Sequence, residues 1–150
     1  MRRSSILAAA AFLLPLALHP AETAAGQSAD ADAEAIRRVI VSAYVEGIHK
    51  NGSREDIRAG FHPAFVMKVL QSDSVVNVPI EGWIARMPAP GTPSRRAVTH
   101  RIPDVSVSGS AAVARVEILF DGRHVYTDYM SLYRFAEGWR IVAKIYHTEP

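Results

Sequence analysis

The stretch of sequence that decides the fold is "YTDYMSLYRFAEGWRIVAKIYH", residues 126–147. Apolar and aromatic residues recur on either side of Glu137–Gly138, which we interpret as a two-residue turn. The stretch therefore predicts a β-hairpin of two long strands. Asp128 near its start and His147 at its end are titratable residues on strands that are otherwise mostly apolar or aromatic. Their placement is the first question about function.

Two tight turns bring these two residues together in the predicted register. Asp121–Gly122 is a strong signal for a two-residue turn, and counting outward from it sets Arg115 opposite Asp128. Counting outward from Glu137–Gly138 sets Asp128 opposite His147. Since side chains alternate faces along a strand, all three residues would share the face whose middle is apolar and turns toward the core.

The polar end of that face is the candidate site. Asp128 and His147 form the candidate catalytic pair, in which the carboxylate would orient the imidazole. The alternative is a structural pair across the strands, with Arg115 satisfying the acid. The residues expected to contact a ligand, either as polar groups or as pocket wall, are Arg115, Glu117, Tyr126, Met130, Ile145, Trp83 and His62. Amphipathic residues expected on the opposite face, toward a subunit interface or solvent, are Tyr129, Ser131, Tyr133, Lys144 and Tyr146.

The first half of the chain predicts helices. Apolar residues at spacings of three and four predict a helix that ends near Lys50 and is capped by Asp30 or Asp32. Ser53, followed by an acid three residues later, predicts the cap of a short second helix over residues 54–60.

Strands dominate the remainder. β-rich runs predict strands at about 65–71 and 74–78, and Pro79 lies in the first turn of a short third helix. A loop at 88–101 then leads to a series of long antiparallel strands. We expect an α+β fold, in which three helices from the N-terminal half pack on the concave face of a strongly curved sheet, because that arrangement buries both apolar surfaces.

The N-terminal residues have the pattern of a secretory signal. Arg2 and Arg3 precede an apolar run, Ile6–Leu18, and small residues follow it. The run is short for a membrane span, although a retained anchor is the alternative. The predicted organisation is a signal peptide (1–26), a disordered lead-in (27–31) and one domain (32–150), and the predicted localisation is periplasmic or secreted.

Composition and motifs exclude several classes of function. The net charge is +2, and 15 basic against 14 acidic residues remain after the predicted cleavage, so no nucleic-acid footprint is indicated. The chain has no cysteine. The histidines are scattered, and phosphate-binding or dinucleotide-binding motifs are absent from the sequence. We therefore expect no metal, no cofactor and, after cleavage, no membrane contact.

Three segments together resemble a known family. They are residues 126–147, "YVEGIHKNGSREDIRAGFHPAF" at 44–65 and "VSVSGSAAVARVEI" at 105–118. They are similar to the putative lumazine-binding family of the nuclear transport factor 2-like superfamily. The resemblance implies a cone-shaped, cystatin-like α+β barrel whose interior can hold a ligand, often as a homodimer packed through the sheets. Catalytic residues of enzymes in this superfamily do not map by motif onto this chain.

Three functions fit this sequence. The first is binding of a small, partly apolar molecule inside the cone. The second is a cofactor-free isomerase, dehydratase or hydrolase that uses the Asp128–His147 pair, with His147 or Asp128 as the base. The third is a structural or interaction module with a filled interior. Fold alone does not choose among them.

Overall fold

The computed structural model describes residues 22–150, with side chains described from residue 28 onward. Residues 1–21 of the predicted signal peptide lie outside this range. No helix within residues 22–150 is long and apolar enough to cross a membrane.

The N-terminal helix begins earlier than the sequence predicts. Helix α1 spans Glu22–Val39, so the prediction of a disordered lead-in at 27–31 is wrong. Alanine is common in this segment and is the strongest helix former. Asp32 lies inside the helix rather than at its cap. Its carboxylate accepts hydrogen bonds from Trp139 Nε1 at 3.0 Å and Arg134 Nη1 at 3.1 Å, which tie the helix to the sheet.

Helix α1 continues without a break into a π-helical segment, Ile40–His49. Beyond it, Lys50 N–H donates to the carbonyl of Val45 at 3.1 Å, a bond that spans five residues. Residues five apart are therefore one turn apart, whereas in an α-helix they would point in different directions. The wider turn brings Tyr44 and His49 together, with ring centroids 4.6 Å apart.

Helix α2 spans Arg54–Gly60 and begins as predicted. The Ser53 side chain accepts hydrogen bonds from the backbone N–H groups of Glu55 and Asp56. Helix α3 spans Ile80–Ile84, with Pro79 as its N-cap rather than in its first turn. Proline suits the start of a helix because the N–H it lacks has no partner there.

Six strands form one sheet within residues 22–150. Their bounds are β1 Phe61–Gln71, β2 Ser74–Pro79, β3 Val98–Ser108, β4 Ala111–Phe120, β5 Arg123–Phe135 and β6 Gly138–Thr148. The spatial order is β2-β1-β6-β5-β4-β3, and every neighbouring pair is antiparallel except β1 and β6. The sheet is curved and unclosed, with the helices on its concave face. This mixed sheet confirms the predicted α+β cone.

The β4–β5 hairpin has the predicted turn but not the predicted register. Asp121 and Gly122 have φ of 53° and 81°, so both adopt the left-handed conformation that a tight hairpin turn needs. The register then shifts by one residue, because Val125 is an unpaired bulge in β5. Arg115 lies opposite Tyr129 instead of Asp128, so the predicted pairing is wrong.

The β5–β6 hairpin departs from the prediction twice. Phe135 pairs with Gly138, so the turn residues are 136 and 137. Farther along, Leu132 pairs with Ile141 but Ser131 pairs with Ala143, which leaves Val142 as a bulge in β6. The earlier turn moves the partner of Asp128 back by two residues and the bulge moves it forward by one, so Tyr146 rather than His147 lies opposite Asp128.

The shift also corrects the predicted faces of the hairpin. Glu117 lies opposite Thr127 rather than Tyr126. Lys144 is buried and Tyr146 packs against the core, although both were expected on the outer face. Ile145 and His147, expected inside, are exposed.

Candidate functional site

A cavity of about 440 Å³ lies between the π-helical segment, α3 and the sheet. The sheet contributes the end of β4, the start of β5 and the end of β6. Aromatic side chains form much of its wall. Its lining residues are Tyr44, Ile48, His49, Asn51, Met67, Trp83, Arg86, Met87, Pro88, Phe120, Tyr126, Lys144 and Tyr146. The cavity argues against an interior that is merely packed with side chains.

A buried polar network forms one wall of the cavity. Lys144 Nζ and Asp128 Oδ1 form an ion pair, and the two side chains are 4% and 0% exposed. Tyr44 OH donates a hydrogen bond to Asp128 Oδ2 at 2.7 Å and accepts one from Lys144 Nζ at 3.2 Å. Lys144, Asp128 and Tyr44 thus provide hydrogen-bond partners for one another away from water.

Burial changes the proton affinities of this network. Loss of hydration lowers the pKa of Lys144, and this effect outweighs the opposing attraction of the Asp128 carboxylate. Burial, followed by the charge of Asp128, raises the pKa of Tyr44 well above its usual value. The Tyr44 hydroxyl therefore keeps its proton and acts as a hydrogen-bond donor.

The ammonium of Lys144 is surrounded by aromatic rings. Its Nζ lies 4.3 Å from the ring centroid of Tyr146, 5.3 Å from that of Tyr44 and 5.6 Å from that of Trp83. Such contacts attract a cation to the ring face. An ammonium has three N–H donors, and two of them reach Asp128 and Tyr44. Since Lys144 also lines the cavity, one donor remains for a ligand.

His49 supplies the second polar group of the cavity. Its Nε2 atom is buried without a hydrogen-bond partner in the part of the chain that the structure describes. Burial, and then the positive charge of Lys144, lower the pKa of His49 to about 3. The imidazole is therefore neutral near pH 7, and its Nε2 can accept or donate one hydrogen bond according to the tautomer.

Four of the sequence-predicted site residues lie inside the cone. Trp83 and Tyr126 line the cavity. Asp128 lies behind the cavity wall, paired with Lys144 instead of His147 or Arg115. Met130 is buried in the core, away from the lining.

The other predicted residues lie away from the cavity. Arg115, Ile145 and His147 are exposed on the outer face, and Glu117 bonds there to Arg101 with Nε to Oε2 at 2.7 Å. His62 stacks on Phe135 with centroids 4.7 Å apart. The bulges at Val125 and Val142 explain the four errors on the strands, since a slip of one residue exchanges the two faces. The predicted Asp128–His147 catalytic pair does not form.

Three residues of the site were not found from the sequence. Strand alternation placed Lys144 outside, while Tyr44 was counted only in the apolar stripe of the helix and His49 was not singled out. One signal was available, because a buried acid needs a cationic partner. A slip of one residue in β6 turns Lys144 to the face of Asp128.

Comparison with known proteins identifies the family. A model described as putative lumazine-binding matches residues 31–147. The chain belongs to this family. No curated protein matches the chain.

Solved structures share the fold of this family member. An NTF2-like protein of unknown function from Shewanella baltica is 28% identical with a TM-score of 0.63, covering 78% of this chain and 93% of its own. One from Methylobacillus flagellatus is 22% identical with a TM-score of 0.62, covering 80% and 94%. A cystatin-like domain of unknown function from Nostoc punctiforme is 14% identical with a TM-score of 0.57, covering 80% and 78%. The family and the fold point to small-molecule binding.

Proposed function

We propose that the protein binds a small planar aromatic molecule that carries a hydrogen-bond acceptor. The ring would lie among the aromatic side chains of the cavity, and the acceptor would face Lys144. The single observation that carries this proposal is the pairing of an aromatic wall with two polar groups that have unused hydrogen-bonding capacity, Lys144 and His49.

The dimensions and chemistry of the cavity support the proposal. Small-molecule sites typically occupy about 300–1,000 Å³ and combine apolar walls with a few polar groups that fix orientation. The cavity volume of about 440 Å³ falls within this range. A flat ring is favoured because Trp83, Tyr126 and Tyr146 present aromatic faces or edges to it.

The ligand must also satisfy His49. A buried nitrogen without a hydrogen bond costs about 1–3 kcal/mol, and a ligand group that reaches Nε2 removes this cost. Lumazine, named in the family description, is a flat bicyclic heteroaromatic with carbonyl acceptors and ring N–H donors. It fits this chemistry and is the first probe to test.

Trp83 provides a direct measurement of binding. It lines the cavity, whereas Trp139, the other tryptophan, is buried away from the lining and bonds to Asp32. In a Trp139→Phe variant the remaining emission comes from Trp83, and we expect lumazine to quench it to saturation. Replacing Lys144 by Gln should weaken binding by about tenfold, because a hydrogen bond to a charged donor is worth about 1.5–3 kcal/mol.

A matched control separates the cavity from the surface. The Lys68→Gln variant removes an exposed lysine from β1 and should bind as the parent does. If neither lumazine nor other fused-ring heteroaromatics with carbonyl groups give saturable quenching, and no small molecule co-purifies with the protein by native mass spectrometry, the binding proposal is wrong.

We further propose that the protein forms a homodimer through the outer face of its sheet. Large apolar side chains on the central strands are about half exposed there: Val113 54%, Tyr129 51%, Tyr133 51% and Ile145 53%. Contiguous exposed apolar surface of this kind marks interaction sites. Light scattering should give twice the chain mass, and Tyr129→Glu with Tyr133→Glu should halve it. A monomeric parent protein would contradict this proposal.

We also propose that the protein is exported to the periplasm or secreted. The support is the basic pair Arg2 and Arg3, the apolar run and the small residues that follow it. Expression of the full sequence in a bacterium should yield a shortened protein outside the cytoplasm, whose N-terminus lies near residue 27. Retention of the full mass in the cytoplasm would count against export.

A further inference from the structure

Lys144 combines features that no other lysine of the chain has. The sequence contains three lysines, Lys50, Lys68 and Lys144. Lys50 bonds to Glu46 at the surface, with Nζ to Oε1 at 2.8 Å, and Lys68 is exposed. Lys144 alone among them is buried, lines the cavity and has both an acid and a phenol within hydrogen-bond reach.

Stability does not explain this arrangement. Taking an ammonium and a carboxylate out of water costs several kcal/mol per ion, and apolar residues of similar volume often serve the fold equally well. The pair also lies beside a cavity instead of in the packed core. An amine held against an aromatic cavity, with a proton acceptor on one side, is the arrangement that activates lysine toward carbonyl compounds.

We propose that Lys144 condenses with an aromatic aldehyde or ketone held in the cavity, and that Asp128 is the counter-ion of the resulting protonated imine. This inference rests on the proposed binding function, since it uses the same cavity and names the acceptor as a carbonyl group. It adds a covalent bond to the ligand.

The condensation needs no proton donor or acceptor other than Asp128, Lys144 and the carbonyl compound. Asp128 Oδ1 takes one proton from Lys144 Nζ, and the freed lone pair forms the N–C bond while the carbonyl π electrons move to oxygen. A second proton passes from nitrogen to that oxygen and gives the carbinolamine. Asp128 then returns its proton to the hydroxyl group, water leaves, and nitrogen forms the C=N bond with its remaining proton still attached.

The charge of the site is the same before and after this reaction. An ammonium and a carbonyl become an iminium and water, so one positive charge faces the Asp128 carboxylate at the start and at the end, and in the carbinolamine between them Asp128 and the nitrogen are both neutral. The buried carboxylate is never left without a partner, which would be costly. The lowered pKa of Lys144 also makes loss of its proton easier than for a lysine in water. The ring of Tyr146, 4.3 Å from Nζ, would stabilise the iminium as it does the ammonium.

Reductive trapping tests the inference on the unmodified protein. The protein is incubated with 2-naphthaldehyde and cyanoborohydride near pH 7, digested and mapped by mass spectrometry. We expect the reduced adduct on Lys144 at about tenfold or more over Lys50 and Lys68, because only the buried amine is activated and held near the carbonyl. Adducts on the N-terminal amine are separated by the peptide map.

A variant that keeps the site intact provides a control that does not depend on changing a buried residue. Lys50→Arg with Lys68→Arg changes only surface residues and leaves Lys144 as the sole lysine, and it should trap the aldehyde as the parent does. The Lys144→Arg variant, which keeps the charge but cannot form the imine, should lose this adduct.

A parallel titration distinguishes failure of the inference from failure of the proposed function. The alcohol 2-naphthalenemethanol has the same ring but cannot condense, and its binding is followed by quenching of Trp83. Quenching by the alcohol together with a selective Lys144 adduct supports both proposals. Quenching without an adduct at Lys144, or with equal adducts on all three lysines, overturns the inference and leaves binding intact. Absence of both the adduct and quenching by the alcohol overturns the inference, and it overturns the binding proposal as well when lumazine and the other heteroaromatics also give no quenching and no small molecule co-purifies.

Discussion

The two halves of strand β6 lie on either side of Val142 and face different surroundings. Before Val142, Trp139 and Ile141 point inward and are buried in the apolar core. After it, Lys144 and Tyr146 point inward, beside the Asp128 carboxylate and the cavity. One strand therefore contributes to the stability of the cone with one half and to the candidate site with the other.

This difference shows how a single unpaired residue can separate a site from a core. Without the bulge, strict alternation from Ile141 would place Ile145 and His147 inside. With the bulge, Lys144 and Tyr146 occupy the inward positions. The apolar half needs only close packing, whereas the polar half needs a partner for each buried charge, and Tyr44 and Asp128 supply these partners.

The largest effect should follow from breaking the polar half. Lys144→Met leaves the Asp128 carboxylate buried without a cation, and we expect a loss of about 3–5 kcal/mol in the free energy of unfolding. Urea denaturation at pH 7 measures it. Lys144→Met combined with Asp128→Leu should recover most of that loss, because no buried charge remains. A double variant no more stable than the single one would contradict the account of the pair.

A change in the apolar half should affect stability and spare the site. Ile141→Ala removes fully buried methyl groups and should cost about 2–5 kcal/mol, through lost burial and the cavity left behind. Because Ile141 does not line the cavity, quenching of Trp83 by lumazine should occur at the same concentrations as in the parent. Weaker binding in this variant would show that the two halves are not separate.

The pH dependence of stability should reveal His49. Its pKa is lowered from 6.5 to about 3 in the folded protein, so between these values the unfolded chain binds a proton that the folded protein does not. The contribution of His49 is fully present above pH 6.5 and is lost as the pH falls, by about 3 kcal/mol at pH 4.

Two variants isolate this contribution. His49→Gln should flatten the stability profile between pH 6.5 and pH 4 in urea titrations, because the titrating group is gone. His147→Gln, at an exposed position, should keep the slope of the parent. Equal slopes in all three proteins would mean that His49 is not buried as described.

The smallest effect is expected on the outer face. His147→Ala should change the free energy of unfolding by less than about 0.5 kcal/mol, since exposed substitutions away from special features rarely do more. Lumazine binding and reductive trapping should be unchanged. A large loss of lumazine binding or of trapping would mean that His147 belongs to the site, and it would contradict the register of β6.

The sequence predicts most of the fold because the relevant signals are local. The Asp121–Gly122 turn, the Ser53 cap and the presence of the strands each depend on neighbouring residues, and the structure confirms them. Element order and sheet class follow from these signals. The start of α1 is the exception, since the small and polar residues 27–31 were interpreted as a disordered lead-in.

The site was predicted only in part, because its geometry depends on two residues without a recognisable signal. Val125 and Val142 are bulges, yet valine is an ordinary strand residue and nothing in its neighbours marks a change of register. The π-helical turn is equally hidden, because α-helical spacing puts Tyr44 and His49 on different faces. Asp128 was found because an acid in an apolar strand stands out, but its partner depends on the register.

Nitrogen NMR of the lysine side chains tests the central claim most directly, because only three ammonium groups must be assigned. An ammonium that is buried and hydrogen-bonded exchanges its protons slowly, whereas the exposed groups of Lys50 and Lys68 exchange quickly. We predict one slowly exchanging signal, absent in Lys144→Met and lost or shifted in Asp128→Asn, that moves to saturation when a cavity ligand is added. Three fast-exchanging signals that do not change when any ligand is added would contradict the inward orientation of Lys144 and the site that depends on it.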